Sequence, residues 1–180
     1  MATYDRDIVR VLDEGVPPTP TIVERGFDGV LAVDKWHRWA VAYTLWVTPD
    51  GEWFSDIHLF QRTGSGWRAM VVSGSHGAGW SLWAPRVDNA SRLRLGERGG
   101  QDAEEEDGSE VSLIAVTGYA ALGVEGVRVQ QAGEARVIPI VHDLNAFVVL
   151  GPAGERTLRA VNLVGAPLGP PVTVYCSFGS

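Results

Sequence analysis

The sequence predicts an all-β protein, in which a short N-terminal helix and a tryptophan-rich antiparallel sheet precede an antiparallel β-sandwich. Three observations carry that expectation. Apolar and polar side chains alternate with period two, most cleanly over 127–131 and 172–178. β-branched and aromatic residues gather in short runs. Turn chemistry separates those runs at Thr48-Pro49-Asp50-Gly51, Gly64-Ser65-Gly66 and Gly151-Pro152-Ala153-Gly154. With 180 residues, 45% apolar and 21% charged, the chain holds enough hydrophobic material for a packed core.

Taken in order, the first element is a helix. Tyr4, Ile8, Val11 and Leu12 fall on one face of a 3.6-residue period, Thr3 is placed to cap it and Gly15 to end it. Pro17 and Pro18 forbid continuation, so 17–20 reads as an extended linker. A turn is expected at Gly26-Phe27-Asp28-Gly29. Strands follow over 30–33, 39–47, 53–62 and 67–73, and their short connections predict an antiparallel meander. Residues 86–98 carry Arg86, Arg92, Arg94 and Arg98 among Asp88 and Glu97 and read as a solvated surface segment.

Residues 99–110, GGQDAEEEDGSE, hold six carboxylates and no apolar side chain beyond Ala103. They read as an exposed acidic loop. On this view 1–100 is a helix plus Trp-rich β region, 101–110 a loop or linker, and 111–180 a β-sandwich region. A single continuous β structure with a long hairpin loop is the other reading. Alternate carboxylates at Asp102, Glu104 and Glu106 lack the glycine and bidentate glutamate of a calcium loop. Further strands are expected over 111–117, 127–131, 135–141, 146–150, 157–164 and 172–178, with Cys176 pointing inward as a small core residue.

The stretch from Thr117-Gly118 through Gly126-Val127-Arg128-Val129 to Asp143-Leu144-Asn145-Ala146-Phe147 resembles prealbumin-like or immunoglobulin-like modules found beside many bacterial domains. The resemblance covers 111–179 and implies a non-catalytic accessory sandwich with no active site to transfer.

Composition narrows the function classes. The net charge is −7, with 11 basic and 12 acidic residues over 1–100 against 4 and 10 over 101–180. Such a surface repels phosphate backbones, so no nucleic-acid partner is expected. One cysteine permits no internal disulfide, and the acidic start, with Asp5, Asp7, Asp13 and Glu14, does not fit an export signal. The longest near-apolar run, 40–47, is too short to span a bilayer. The expected location is therefore the cytoplasm, with no membrane partner. Fourteen arginines against the single Lys35 point to a GC-rich, bacterial genome.

Tryptophan is the most unusual feature. All seven lie between 36 and 83, at Trp36, Trp39, Trp46, Trp53, Trp67, Trp80 and Trp83. Most are expected in the core. Trp36 and Trp39 stand in polar company, and Trp80 and Trp83 follow a glycine-rich loop, so these four are the candidate ligand-binding rings. Asp56 and His58, two apart on a strand, share a face, and His76 is a third candidate for a polar site. No spacing typical of zinc, phosphate-loop, dinucleotide or nucleophile-elbow motifs occurs, so no cofactor or metal is expected. The function expected is a non-enzymatic binding or protein-interaction module, its partner another protein or a small ring-containing ligand. Self-association through exposed edge strands is a further expectation. The alternative is an enzyme, hydrolase-like or metal-dependent, built around Asp56, His58 and His76.

Overall fold

The computed structural model describes residues 3–16, 26–77, 87–141 and 144–177, with 3–6, Val72 and His76 described by their backbone alone. One helix, α1 (Thr3–Glu14), is followed by β1 (Asp28–Trp36), β2 (Trp39–Val47), β3 (Trp53–Thr63) and β4 (Gly66–Gly77). Then come β5 (Leu93–Glu104), β6 (Glu110–Ala120), β7 (Gly126–Gln131) and β8 (Glu134–Pro139), and last β9 (Ala146–Pro152), β10 (Gly154–Val161) and β11 (Val172–Cys176). The protein is mostly β, as the alternation predicts.

These strands form three antiparallel sheets. The first is the meander β1-β2-β3-β4, the middle one runs β5-β6-β9, and the third β11-β10-β7-β8. They stack as layers because the middle sheet is apolar on both faces. From one face, Leu113, Ala115, Val148 and Leu150 pack with Leu31, Val41, Tyr43, Leu45, Ile57 and Leu59 of the first sheet. From the other, Ile114, Val116, Phe147 and Val149 pack with Val127, Val129, Leu158, Val174 and Cys176 of the third. A strand covered twice loses its polar alternation, which is why β6 and β9 read as nearly continuous apolar runs. Helix α1 adds an outermost layer, with Ile8 and Leu12 against Ala40, Ala42, Phe60 and Trp67. Gly15 ends it at φ 92°, donating to the Val11 carbonyl at 2.8 Å.

Several boundaries differ from the sequence reading. Asp28 and Gly29 open β1 instead of completing a turn. β5 runs through both the expected surface segment and the first part of the acidic stretch, so only 105–109 is left as the connection to β6. Its glycines are packing allowances. A Cβ on Gly99 would collide with the Ser73 side chain and press on Ile57 of the first sheet, and one on Gly96 would meet Thr117 Oγ1 at 2.8 Å.

The outer edge of β9 is closed by side chains. Asp34 of β1 accepts the Leu150 N–H at 2.8 Å and is held by the Arg136 guanidinium of β8, with Nε–Oδ1 at 3.1 Å. Arg136 also donates to the Leu150 carbonyl. One acid–base pair therefore plays the part of a neighbouring strand toward Leu150, offering it an acceptor and a donor. Buried Arg156 donates to the carbonyls of Val149, Gly151 and Pro152 at 3.2, 2.7 and 3.1 Å, and Gln131 adds a bond to Pro152 at 2.7 Å. Burial pushes the Arg156 pKa down.

Candidate functional site

The predicted aromatic residues separate. Trp36 and Trp39 bracket the two-residue turn between β1 and β2, where His37 takes φ 53°. Trp39, one of the candidate ligand-binding rings and expected to be partly exposed, is 0% exposed. It is the first residue of β2 in the inward phase, so its ring enters the core beside Val41 while its Nε1 donates to Glu105 at 3.2 Å. Trp36 is half-buried. Its Nε1 donates to Glu134 at 3.2 Å and its ring stacks on His37, with centroids 4.2 Å apart. His37 Nε2 meets the other Glu134 oxygen at 2.9 Å, and this hydrogen bond holds the Glu134 pKa below its usual range. Arg38 pairs with Glu106 at 3.2 Å. His37, Arg38, Glu105, Glu106 and Asp107 line a shallow open depression of about 450 Å³. Trp80 and Trp83 lie outside the described residues.

The alternative polar set lies on the outer face of the first sheet. As the two-residue spacing predicts, Asp56 and His58 share that face of β3 with Phe54 and Phe60. His58 is buried, with Nε2 3.1 Å from Thr44 Oγ1 on the adjacent strand. The Asp56 carboxylate lies over Gly74 of β4, where any Cβ would collide with it. His76 is the register partner of Phe54, one row further along. Among the described residues, no group of three or more His, Cys, Asp or Glu side chains is placed to hold a metal ion.

The same face carries an aromatic pair that the sequence reading passed over. Trp46 and Phe54 are cross-strand partners, stacked with centroids 5.0 Å apart and planes 23° from parallel. Trp46 is 46% exposed. It sits in the most apolar run of the chain, yet it has the outward parity of Ala40, Ala42 and Thr44. Helix α1 packs on Ala40, Ala42, Phe60 and Trp67, while Trp46 stays half-exposed. Parity was the signal that could have found it. The row Asp28, Trp46, Phe54, His76 crosses all four strands of the first sheet, with Thr44, Asp56 and Gly74 in the next row. On this face the stacked Trp46–Phe54 pair stands beside the Asp56 carboxylate, while Thr44 and His58 are buried.

No protein-family model matches the chain, and no curated protein and no solved structure matches it.

Proposed function

We propose that the protein is a non-catalytic interaction module of the bacterial cytoplasm, which binds another protein through the outer face of its first sheet. The observation that carries this reading is Trp46, half-exposed and held flat by its stack on Phe54. Leaving roughly 100 Å² of indole in water forgoes about 2.5 kcal/mol of hydrophobic stabilisation. A partner that covers the ring recovers it, which is why tryptophan dominates binding energy at many interfaces. The Asp56 carboxylate, lying over Gly74 in the next row, adds a hydrogen-bonding acceptor beside the ring. The packing of β5-β6-β9 on β11-β10-β7-β8 is compatible with the likeness of 111–179 to accessory sandwich modules.

The test compares wild-type protein and Trp46→Ser. Captured proteins are quantified from extracts, and the one whose recovery depends on Trp46 is then purified and titrated calorimetrically. The reading expects at least a tenfold loss of affinity in Trp46→Ser, with the fold kept and stability lowered by about 1 kcal/mol as the Phe54 stack is lost. Equal affinity for both forms, or no protein whose recovery depends on the ring, refutes it.

A further inference from the structure

Among the described residues, most of the large apolar side chains left in solvent sit at one end of the third sheet. Leu122 is 80% exposed, Leu163 and Val164 are 85% each, and Val141 is 41%. Their loops are tied together by backbone bonds. Glu125 N–H donates to the Val161 carbonyl at 3.0 Å, and Ile140 N–H to the Glu125 carbonyl at 2.9 Å. Leu163 and Val164 are the two central residues of a turn closed by Gly165 N–H to the Asn162 carbonyl at 2.8 Å, positions that polar residues ordinarily take. An arginine holds each tip from behind: Arg92 donates to the Leu122 carbonyl at 2.6 Å, and Arg128 to the Gly165 carbonyl at 2.8 Å.

Charge is distributed along the same axis. At this end the described charges are Arg92, Arg94, Arg128 and its register partner Arg159, against Asp88 and Glu125, a local excess of two positive charges on a chain of net −7. β5 leads away from this end, from Leu93 to Glu104, about 36 Å at the rise of an extended strand. At its far end stand Glu104, Glu105, Glu106, Asp107, Glu110 and Glu134, with His37 and Arg38 among them.

We propose that the apolar end is a peripheral docking surface for an anionic lipid bilayer, with Leu122, Leu163 and Val164 entering the headgroup region and Arg92 and Arg128 meeting lipid phosphates. Leu122, Leu163 and Val164 stand 80–85% exposed on loops tied to one another through backbone hydrogen bonds. The acidic far end is repelled by a negative membrane, which turns the apolar end toward it. A sequence search for a spanning run does not detect contacts of one or two residues per loop, and among the described residues no helix is long and apolar enough to cross a membrane.

The test is co-flotation of the whole chain with vesicles of phosphatidylcholine alone and of phosphatidylcholine with about one-third phosphatidylglycerol. The proposal expects binding to the anionic vesicles only, weakened by salt. It expects the double variant Leu163→Ser/Val164→Ser to lose binding by roughly a hundredfold, at about tenfold per side chain. Tyr175→Ser, which removes an exposed ring on β11 near the other end of the third sheet, is expected to bind as wild type. Both substitutions lie on the surface, and matching melting curves confirm that the fold is kept. Absence of wild-type binding overturns the proposal, as does equal binding by the double variant. A dimer in sedimentation velocity that the double variant dissociates, without vesicle binding, also overturns it and makes this end a contact between copies.

Discussion

Removal of the Asp34 carboxylate is expected to be among the most damaging single changes, because three sheets meet on it. Asp34→Ala leaves the Leu150 N–H without its acceptor, at a cost of about 1–3 kcal/mol, and strands Arg136. Breaking a buried ion pair by removing one partner costs about 3–5 kcal/mol. The Arg136 side chain keeps 22% exposure against 4% for Asp34, so it recovers some hydration. The lower end of the range applies, and the combined expectation is about 3–4 kcal/mol, a large fraction of the stability of an ordinary domain. The melting temperature should fall by about 10 °C. The same asymmetry predicts that Arg136→Ala costs at least as much, because it leaves the more deeply buried charge alone. Asp34→Asn keeps a carbonyl oxygen for Leu150 and should cost about half. Urea unfolding followed by tryptophan fluorescence measures all three, and the double variant closes the cycle, with a coupling of about 2 kcal/mol expected. A loss below about 1 kcal/mol in Asp34→Ala, or additivity within about 0.5 kcal/mol, would refute the clamp.

Two further predictions follow from the backbone and the core. Ala132 and Gly133 form the two-residue turn between β7 and β8 at φ 50° and 82°, a geometry that disfavours alanine. Ala132→Asn should stabilise the protein by about 1 kcal/mol in the same urea assay, and a destabilised variant would contradict the turn geometry. Tyr43 and Tyr119 hold their hydroxyls 3.1 Å apart in the core, and burial raises both pKa values, with Tyr119 adding to the shift of Tyr43. The folded state disfavours their ionised forms, so stability is constant below the unfolded tyrosine value of about 10 and falls as pH rises past it. An ultraviolet tyrosinate titration should show these two of the four tyrosines ionising only as the protein unfolds. Their titration within a folded protein would contradict it.

Ten of the strands were legible because turn residues bound runs of β-branched and aromatic residues, with period-two burial added in strands such as β7 and β11. The run 93–104 was not, since an edge strand needs only one buried row and its charges guard the open side. Glycines that admit Ser73 and Thr117 look, in one dimension, like loop glycines. The candidate surface was less legible. Polar neighbours made Trp39 look exposed, although Arg38 and His37 merely form the turn before it, and apolar neighbours made Trp46 look buried. Local company predicts exposure poorly where a helix distant in sequence packs on one row of the sheet.

The two-faced middle sheet also governs how the chain matures on the ribosome. The meander is complete once Gly77 has emerged, yet the inner row of Val41, Tyr43, Leu45, Ile57 and Leu59 meets Leu113 and Ala115 first and has its full lid only when Ala146–Pro152 arrives. That is roughly 75 residues later, about 4–15 s at ordinary translation speeds. Throughout this interval the apolar inner face of the meander is only partly covered.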